Sequence, residues 1–389
     1  MSKESIRTTL PFTLEVITPV SIGSGQGLKV LDYILDTANH DVYILNQKKW
    51  FQYLYSINKL SEYELFIKKY ATGNTKDTIF EWMERNIGIL DESILKSIST
   101  RHVRCVKSAI SKRTLNDIKL CMSLSDGSPY IPGSSLKGVI IASVIAYIIE
   151  QKQSFRNEWS RRFLHTMNDT RELQKCIRDY GNALDKLISS YIADNTGTIE
   201  KDSTKKLFHG ISVSDVMPVS KLNTFILPRY DSVVGKYERK SLPLYRECIV
   251  PNTKLKGTLS ADIRELQKVG VQSMSELIQI IERHTQRIVS RWKQVFTGDV
   301  ERTCLADLEN TTCLLGSSIG FLHKTLLLPL FDDQRDEVDV IKSVLNLQRA
   351  FKKHNHWKDR SISPRTLKLT KYRGKDYIFG GVKLHFEND

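Results

Sequence analysis

A few residues of the sequence have the side-chain types that RNA-cleaving enzymes use. Metal-independent cleavage needs a histidine with a lysine or tyrosine beside it, and His209, His284 and the pair His323-Lys324 qualify by type. Asp32 would suit a metal-dependent reaction in principle, although an ordinary aspartate at a strand end is the simpler interpretation. Because the sequence alone does not bring these residues together, it favours binding over catalysis and predicts no catalytic residue, metal or cofactor.

Other catalytic and metal-binding motifs are missing from the sequence. It contains no H-E-x-x-H, no G-x-S-x-G and no set of kinase motifs. His354 and His356 are two positions apart, which does not place both on one helical face, and we expect them in solvent. The six cysteines are scattered without a C-x-x-C pair, which predicts reduced, mostly buried thiols of a cytosolic protein.

A second kind of chemistry, anion binding at a helix start, is indicated by the segment 130–138. Pro132 and Gly133 end the preceding structure, and an apolar helical pattern covers 139–149. Ser134 or Ser135 would cap this helix, and Lys137 adds a cation in its first turn. The alternative is an ordinary core helix whose lysine points to solvent.

Glycines recur at three further places, and at the first of them main-chain amides could approach phosphates. The first stretch holds Gly23, Ser24 and Gly25, the second runs from Gly316 to Lys324, and the third is the pair Gly380-Gly381. The first stretch lacks the Gly-Lys-Ser/Thr of a P-loop. Tight turns that require glycine are the alternative for the first stretch.

Basic residues complete a predicted RNA-contacting set. A run from Arg101 to Arg113 is either a solvated face or an RNA-contacting arm. A basic loop follows Pro228, a Pro-Asn-Thr-Lys segment begins at Pro251, and a basic hairpin turn lies near the C-terminus. The predicted RNA-binding residues are Gly23, Ser24, Gly25, Ser134, Ser135, Lys137, Arg229, Lys236, Lys256, Gly316, Ser317, Gly320, Lys324, Arg373, Lys375, Gly380 and Gly381.

The overall charge agrees with a polyanionic partner. The 389 residues include 58 Lys+Arg against 44 Asp+Glu, a net charge of +14. Such an excess indicates nucleic acid first and an anionic membrane surface second. The first ten residues contain no signal-peptide pattern, and the apolar run 139–149 is too short for a membrane span. We therefore expect a cytoplasmic protein without a membrane partner.

The elements that must position these residues alternate between strands and helices, which predicts an α+β fold. We divide the chain into an N-terminal domain over 1–265, with a helical insertion at about 151–206, and a C-terminal α+β domain over 266–389. The insertion carries a heptad-like apolar stripe from Leu173 to Tyr191 that needs a partner surface. If that surface belongs to a neighbour, a purely architectural protein that touches no RNA is the alternative.

Five segments together resemble the RAMP superfamily of CRISPR effector complexes. They are Ile17–Gly25, Tyr130–Gly138, Ile249–Thr253, Gly316–Lys324 and Gly380-Gly381. Their order is most similar to that of the subunits that cap the crRNA 3′ end in type III-A Csm complexes. The resemblance spans nearly the whole chain, and the ordered combination is more specific than any single motif.

The resemblance implies two ferredoxin-like (RRM-like) RAMP modules with helical insertions. It also implies a head position on a filament of backbone RAMP subunits, contact with crRNA and other Csm subunits, and a part in crRNA 3′ maturation with a host trimming nuclease. The sequence lacks an RNP1-type aromatic string, so we expect contacts to the RNA backbone, which carry no sequence information. The rival is a RAMP endoribonuclease that cleaves repeat or target RNA, or a backbone RAMP subunit that cleaves with Asp32.

Overall fold

The computed structural model describes residues 7–88, 91–106, 114–115, 117–199, 201–220, 222–236 and 240–387. Its fifteen strands are β1 Arg7–Val16, β2 Gly23–Leu28, β3 Tyr33–Asp36, β4 Asp41–Leu45, β5 Ser99–Cys105, β6 Ile118–Cys121, β7 Ile211–Val213, β8 Met217–Pro218, β9 Thr224–Val233, β10 Lys240–Ile249, β11 Lys254–Asp262, β12 Cys313–Leu314, β13 Thr366–Tyr372, β14 Lys375–Ile378 and β15 Gly381–Phe386. Its helices are α1 Gln47–Ser56, α2 Leu60–Ala71, α3 Ile79–Asn86, α4 Glu92–Ser97, α5 Gly133–Gln151, α6 Gln153–Thr166, α7 Thr170–Thr196, α8 Ser203–Gly210, α9 Ile263–Gln267, α10 Met274–Val295, α11 Asp299–Ala306 and α12 Gln334–Leu347.

The strands form two sheets, and helices cover them. The first sheet has the order β12-β15-β1-β11-β7, with β8 beside β11. The second has the order β2-β6-β10-β9-β5-β4-β3, with β13 and β14 joined through β9. This is the predicted α+β fold with two RAMP modules, and its larger core lies between the first sheet and α5 and α10.

The C-terminal segment, which begins after the predicted boundary at 265/266, contributes strands to both sheets. Strand β15 pairs with β1 in the register Leu14↔Leu384, and β13 pairs with β9 through Leu369↔Tyr230. Strand pairing over such distances along the chain leaves no local signal.

The glycine stretch after residue 22 is a strand rather than the loop we expected. Strand β2 pairs antiparallel with β6 in the register Gly23↔Cys121, with an irregularity between Gly23 and Gly27. Gly23 and Gly25 are exposed on this edge strand. Strands β3 and β4 follow as an antiparallel hairpin, with Asp36 paired to Asp41.

The start of α5 differs from the capped anion site that the sequence predicted. The helix begins at Gly133 with Pro132 as its N-cap, and neither Ser134 nor Ser135 caps it. Instead, the Gly133 N–H donates to Asp215 Oδ1 at 2.8 Å. Because this carboxylate already sits at the positive end of the helix dipole, the site is filled from within the chain.

Helix α5 has the length and composition of a membrane span, and half of that stretch is buried inside the protein. Its buried side chains, such as Leu136, Ile140 and Ile148, belong to the core beneath the first sheet. Packing within the fold therefore explains this apolar helix.

Residues of the predicted insertion form the helices α6 and α7, and the apolar stripe finds its partner within the chain. Leu173, Tyr180 and Leu187 of α7 are buried in the main core, together with Trp159 and Phe163 of α6. The Tyr180 hydroxyl also donates to the Leu326 carbonyl at 2.8 Å. The observation that motivated a purely architectural protein is thus explained by internal packing.

A buried carboxylate joins four strands of the second sheet. Glu247 of β10 accepts two hydrogen bonds from Arg101 of β5 at 2.5 and 2.7 Å, one from the Cys121 N–H of β6 and one from the Thr224 hydroxyl of β9. Arg101, the first residue of the predicted basic run, is therefore structural. Residues 107–113, which include Lys107, Lys112 and Arg113 of that run, lie outside the described residues.

Three backbone segments meet at close range, and we call this contact the glycine junction. It comprises residues 17–21, 315–317 and 380–381. Leu315 N–H donates to the Gly380 carbonyl at 2.8 Å, Gly380 N–H to Pro19 at 2.9 Å, and Ser317 N–H to Ser21 at 2.9 Å. A Cβ on Gly316 would lie 2.5 Å from the Ser21 carbonyl oxygen, and one on Gly380 would lie 2.6 Å from that of Leu315.

Replacing Gly380 should destabilise the fold strongly. Gly380 has a φ of 99°, and a Cβ there would also overlap Ile319. We expect Gly380→Ala to lower the free energy of unfolding by about 2 kcal/mol or more. The control is Gly138→Ala in α5, where a Cβ would meet nothing within 4 Å. This substitution should raise the free energy of unfolding by about 0.5–1 kcal/mol. Urea unfolding of both variants tests this, and equal stabilities would contradict the junction.

Candidate nucleic-acid interface

A cleft with a volume of about 410 Å³ lies between the second sheet and the segment 316–324. Its floor carries Arg229 and Asp231 of β9 and Lys368 of β13. Its roof is formed by the second glycine-rich stretch, which includes Ser317, Gly320 and Lys324. We call this site the basic cleft, and it gathers four of the residues that the sequence predicted: Arg229, Ser317, Gly320 and Lys324.

Strand geometry places the floor cations on one face of the sheet. Residues paired across neighbouring strands point to the same face, and side chains alternate along each strand. Lys368 is paired with Asp231, which shares its face with Arg229 two positions earlier. Arg246 of β10 is paired with Leu227, which lies on that face too. Its guanidinium donates to the roof at Ser317 Oγ at 3.0 Å.

The basic cleft holds more positive than negative charge. Asp231 accepts hydrogen bonds from Arg229 at 3.0 and 3.1 Å, and it is the carboxylate among the described residues of the lining. Burial, with the neighbouring Arg229, lowers the pKa of Lys368 to about 8. Burial and Arg229 also lower the pKa of Arg246. Because four cations face one carboxylate, an anion entering the cleft would relieve their repulsion.

Two candidate catalytic histidines meet beneath the roof, but they are buried there. The rings of His284 and His323 are 5.7 Å apart, and both side chains are less than a tenth exposed. Burial lowers the pKa of His284 to about 4 and that of His323 to about 3. These neutral imidazoles thus pack beneath the roof and are not an accessible acid–base pair. His209 does not join them, since it lies in α8.

His354 and His356 differ from the expectation that both are solvated. His356 is buried, and its Nδ1 lies 2.9 Å from Asp359 Oδ2, which also accepts from the Ser363 hydroxyl. His354 is exposed at the rim of the basic cleft. The i, i+2 spacing gave no hint of this difference because these residues lie in short 3₁₀ segments.

A second basic surface surrounds the hairpin turn between β13 and β14, and we call it the turn patch. Arg373 and Lys375 flank Gly374 in this turn, as the sequence predicted, and Arg104 of β5 lies on the same shallow cleft. Phe225 and Tyr377 add aromatic surface there. Lys375 is 2.8 Å from Asp307, so its charge is partly satisfied.

The remaining predicted RNA-binding residues lie outside both surfaces. Gly380 and Gly381 are buried, and with Gly316 they belong to the glycine junction, so close backbone packing explains them without a nucleic acid. Lys236 is exposed after β9. The others are on the edge strand β2, at the start of α5 and on the outer face of β11: Gly23, Ser24, Gly25, Ser134, Ser135, Lys137 and Lys256.

Asp32 has a local structural role. Its carboxylate accepts from the Lys29 N–H at 2.8 Å and closes the short 3₁₀ turn Val30–Asp32. Within the described residues, no group of three or more His, Cys, Asp or Glu side chains is arranged to hold a metal ion. The geometry of this aspartate matches the ordinary alternative that the sequence allowed.

Sequence reasoning missed Arg246 and Lys368. Each is a cation inside a strand that otherwise buries apolar side chains, as in Leu367-Lys368-Leu369. Alternation predicts that such a residue faces away from its buried neighbours. It does not reveal that the opposite face is covered by another loop of the same chain.

The family of the chain is decided by comparison with known proteins. The RAMP superfamily profile matches residues 13–311, well over half of the sequence. The chain belongs to the RAMP superfamily. The resemblance on which the sequence analysis relied is therefore confirmed at the family level.

Similar proteins within the superfamily carry one name. A CRISPR system Cms protein Csm5 of Mycobacterium tuberculosis is 23% identical, over 96% of each chain. Csm5 of Streptococcus thermophilus is 22% identical over 93% of this chain and 88% of its own. Csm5 of Enterococcus italicus is 25% identical over 80% of this chain and 78% of its own.

Two solved structures share the fold. One is a chain of the cryo-EM structure of a Csm–crRNA–target RNA ternary complex in a type III-A CRISPR-Cas system, with a TM-score of 0.65 and 20% identity over 97% of this chain and all of that one. The other is the crystal structure of T. onnurineus Csm5, with a TM-score of 0.53 and 16% identity over 82% of this chain and 92% of that one. They confirm the α+β RAMP fold, and the resemblance to Csm subunits of type III-A systems is confirmed with it.

Phosphate binding in the basic cleft should depend on pH through Lys368. In the free protein this lysine loses its proton as the pH rises through about 8, whereas a bound phosphate would favour the protonated form. The affinity for a single-stranded RNA should therefore fall several-fold between about pH 7.5 and pH 9. Fluorescence anisotropy at constant ionic strength measures it. Lys368→Arg keeps its charge and should flatten the profile, and an equal decline in both proteins would exclude Lys368 as the cause.

Proposed function

We propose that the chain is a crRNA-binding subunit that caps the 3′ end of a type III-A Csm ribonucleoprotein in the cytoplasm. The observation that carries this proposal is the basic cleft, where Arg229, Arg246, Lys324 and Lys368 face Asp231 under a Gly/Ser-rich roof. The net charge of +14 and the similarity to Csm5 proteins support the same function.

The cleft suits the ribose-phosphate backbone of RNA. Three of its cations, Arg229, Arg246 and Lys368, project from paired strands. Its roof carries the fourth, Lys324, together with main-chain groups of Ser317 and Gly320. Contacts of this kind position a strand without reading its sequence. A guide-binding subunit needs that property because every crRNA of an array carries a different spacer.

The subunit would support crRNA maturation by shielding rather than by cutting. RNA held in the cleft is protected, and a host trimming nuclease would remove what extends beyond it. Backbone RAMP subunits and other Csm subunits are the proposed protein partners. The exposed apolar side chains of α1 and α2, Phe51, Tyr55 and Leu65, are available for such contacts.

The rival function, an endoribonuclease that uses Asp32, finds less support in the geometry. Asp32 closes a local turn, and His284 and His323 are buried and neutral. Incubating the purified chain with labelled repeat and target RNA, with and without magnesium, separates the two functions. Cleavage that is lost in Asp32→Ala would replace the binding proposal.

The salt dependence of RNA binding should identify the cleft as the phosphate site. Each phosphate contact on a single strand contributes about 0.7 to the slope of log affinity against log salt concentration. Arg229→Gln combined with Lys324→Gln should lower that slope by roughly 1.4 and weaken unrelated RNAs equally. The matched control, Lys205→Gln on the exposed face of α8, should leave the slope unchanged. A loss confined to one RNA sequence would contradict backbone recognition.

A further inference from the structure

The inner wall of the basic cleft is apolar, and phosphate binding does not use it. Trp292, Leu345, Leu367 and Ile378 line it and are nearly fully buried. The charged side chains at its rim, such as Lys324, are exposed. A binding site for phosphate alone would need the rim but not this interior.

Aromatic side chains are concentrated in the same cleft. Trp292, Phe321 and Phe351 contribute rings to the lining, and the imidazole of His354 lies next to Phe351 with ring centroids 6.0 Å apart. Aromatic surface beside cations is the combination that holds unpaired bases, since stacking on such rings accepts any base. The cavity volume of about 410 Å³ is within the usual range for small-molecule sites.

One polar group inside the cleft lacks a partner. The Ser318 side chain is 3% exposed, and its hydroxyl forms no hydrogen bond with any of the residues that the structure describes. Ser318 lines the cleft between Ser317 and Ile319. A buried hydroxyl without a partner is costly unless a ligand supplies one.

We propose that the basic cleft captures one splayed-out nucleotide of a single-stranded RNA. The base lies against the apolar wall and contacts Ser318, and the adjacent phosphate lies at Arg229, Lys324 and Lys368. This inference rests on the proposed function and adds a base pocket to it. The pocket discriminates by the presence of an accessible base rather than by its identity. It therefore fits a guide of any sequence and disfavours a base-paired strand.

The test compares RNA chains that differ only in their bases. The full-length chain is titrated with an adenosine nonamer and with a nonamer of the same length that is abasic throughout. Stacking of one base is worth about 1–3 kcal/mol, so the abasic chain should bind at least about fivefold more weakly with the same salt slope. A 2-aminopurine in an otherwise uridine nonamer should lose fluorescence on binding as it stacks in the cleft.

Two matched variants assign the effect to the cleft. Phe351→Ala removes an aromatic ring without changing charge and should abolish both the abasic penalty and the quenching. Tyr377→Ala in the turn patch should preserve both. Thermal unfolding of each variant shows whether it is folded. The comparison of the two nonamers is made on the unaltered protein, so it does not depend on the folding of any variant.

The outcomes separate the base pocket from the proposed function. Equal, salt-dependent affinity for the two nonamers would overturn the base pocket and leave backbone binding intact. An abasic penalty that persists in Phe351→Ala and vanishes in Tyr377→Ala would also overturn it, since the base would then stack on the turn patch. No binding of either nonamer would overturn both proposals.

Discussion

The glycine junction is the constraint on which the candidate site depends. Residues 17–21, 315–317 and 380–381 approach so closely that a Cβ on Gly316 or Gly380 would overlap the neighbouring backbone. This contact ties the exit of β1, the entry to β15 and the roof of the basic cleft into one unit. It holds Gly316 and Ser317, the start of the segment 316–324, in place above the second sheet.

The floor of the cleft is fixed by different forces. Arg229, Arg246 and Lys368 project from paired strands, so their separations are set by the sheet rather than by side-chain flexibility. On the other face of the sheet, Glu247 joins four strands and pairs with Arg101. The same sheet thus satisfies its charges on one face and leaves an excess of positive charge on the other. That asymmetry favours a polyanionic ligand.

Local signals in the sequence predicted much of the fold. The apolar helix α5 and the basic hairpin turn between β13 and β14 were recognisable because periodicity and turns are decided by neighbouring residues. Long-range pairing was not recognisable, since the return of β15 to β1 leaves no signal in the residues near either strand. Local residues likewise could not show that Asp215, 82 residues further along the chain, occupies the start of α5.

The candidate site was predictable only in part, because a glycine indicates a close approach without saying to what. Gly316, Gly380 and Gly381 were read as phosphate contacts, and the structure places other backbone or side-chain atoms against them. Arg229 and Lys324 were selected for their charge and do line the cleft, whereas Arg246 and Lys368 required knowledge of the strand register.

Photo-crosslinking of a purified ribonucleoprotein that contains this chain tests the central claim most directly. Peptides joined to the guide RNA would be identified by mass spectrometry. The basic cleft predicts crosslinks within 316–324, along β9 and along β13. Crosslinks confined to the outer face of the first sheet, where Lys254, Lys256 and Lys383 project, would contradict it.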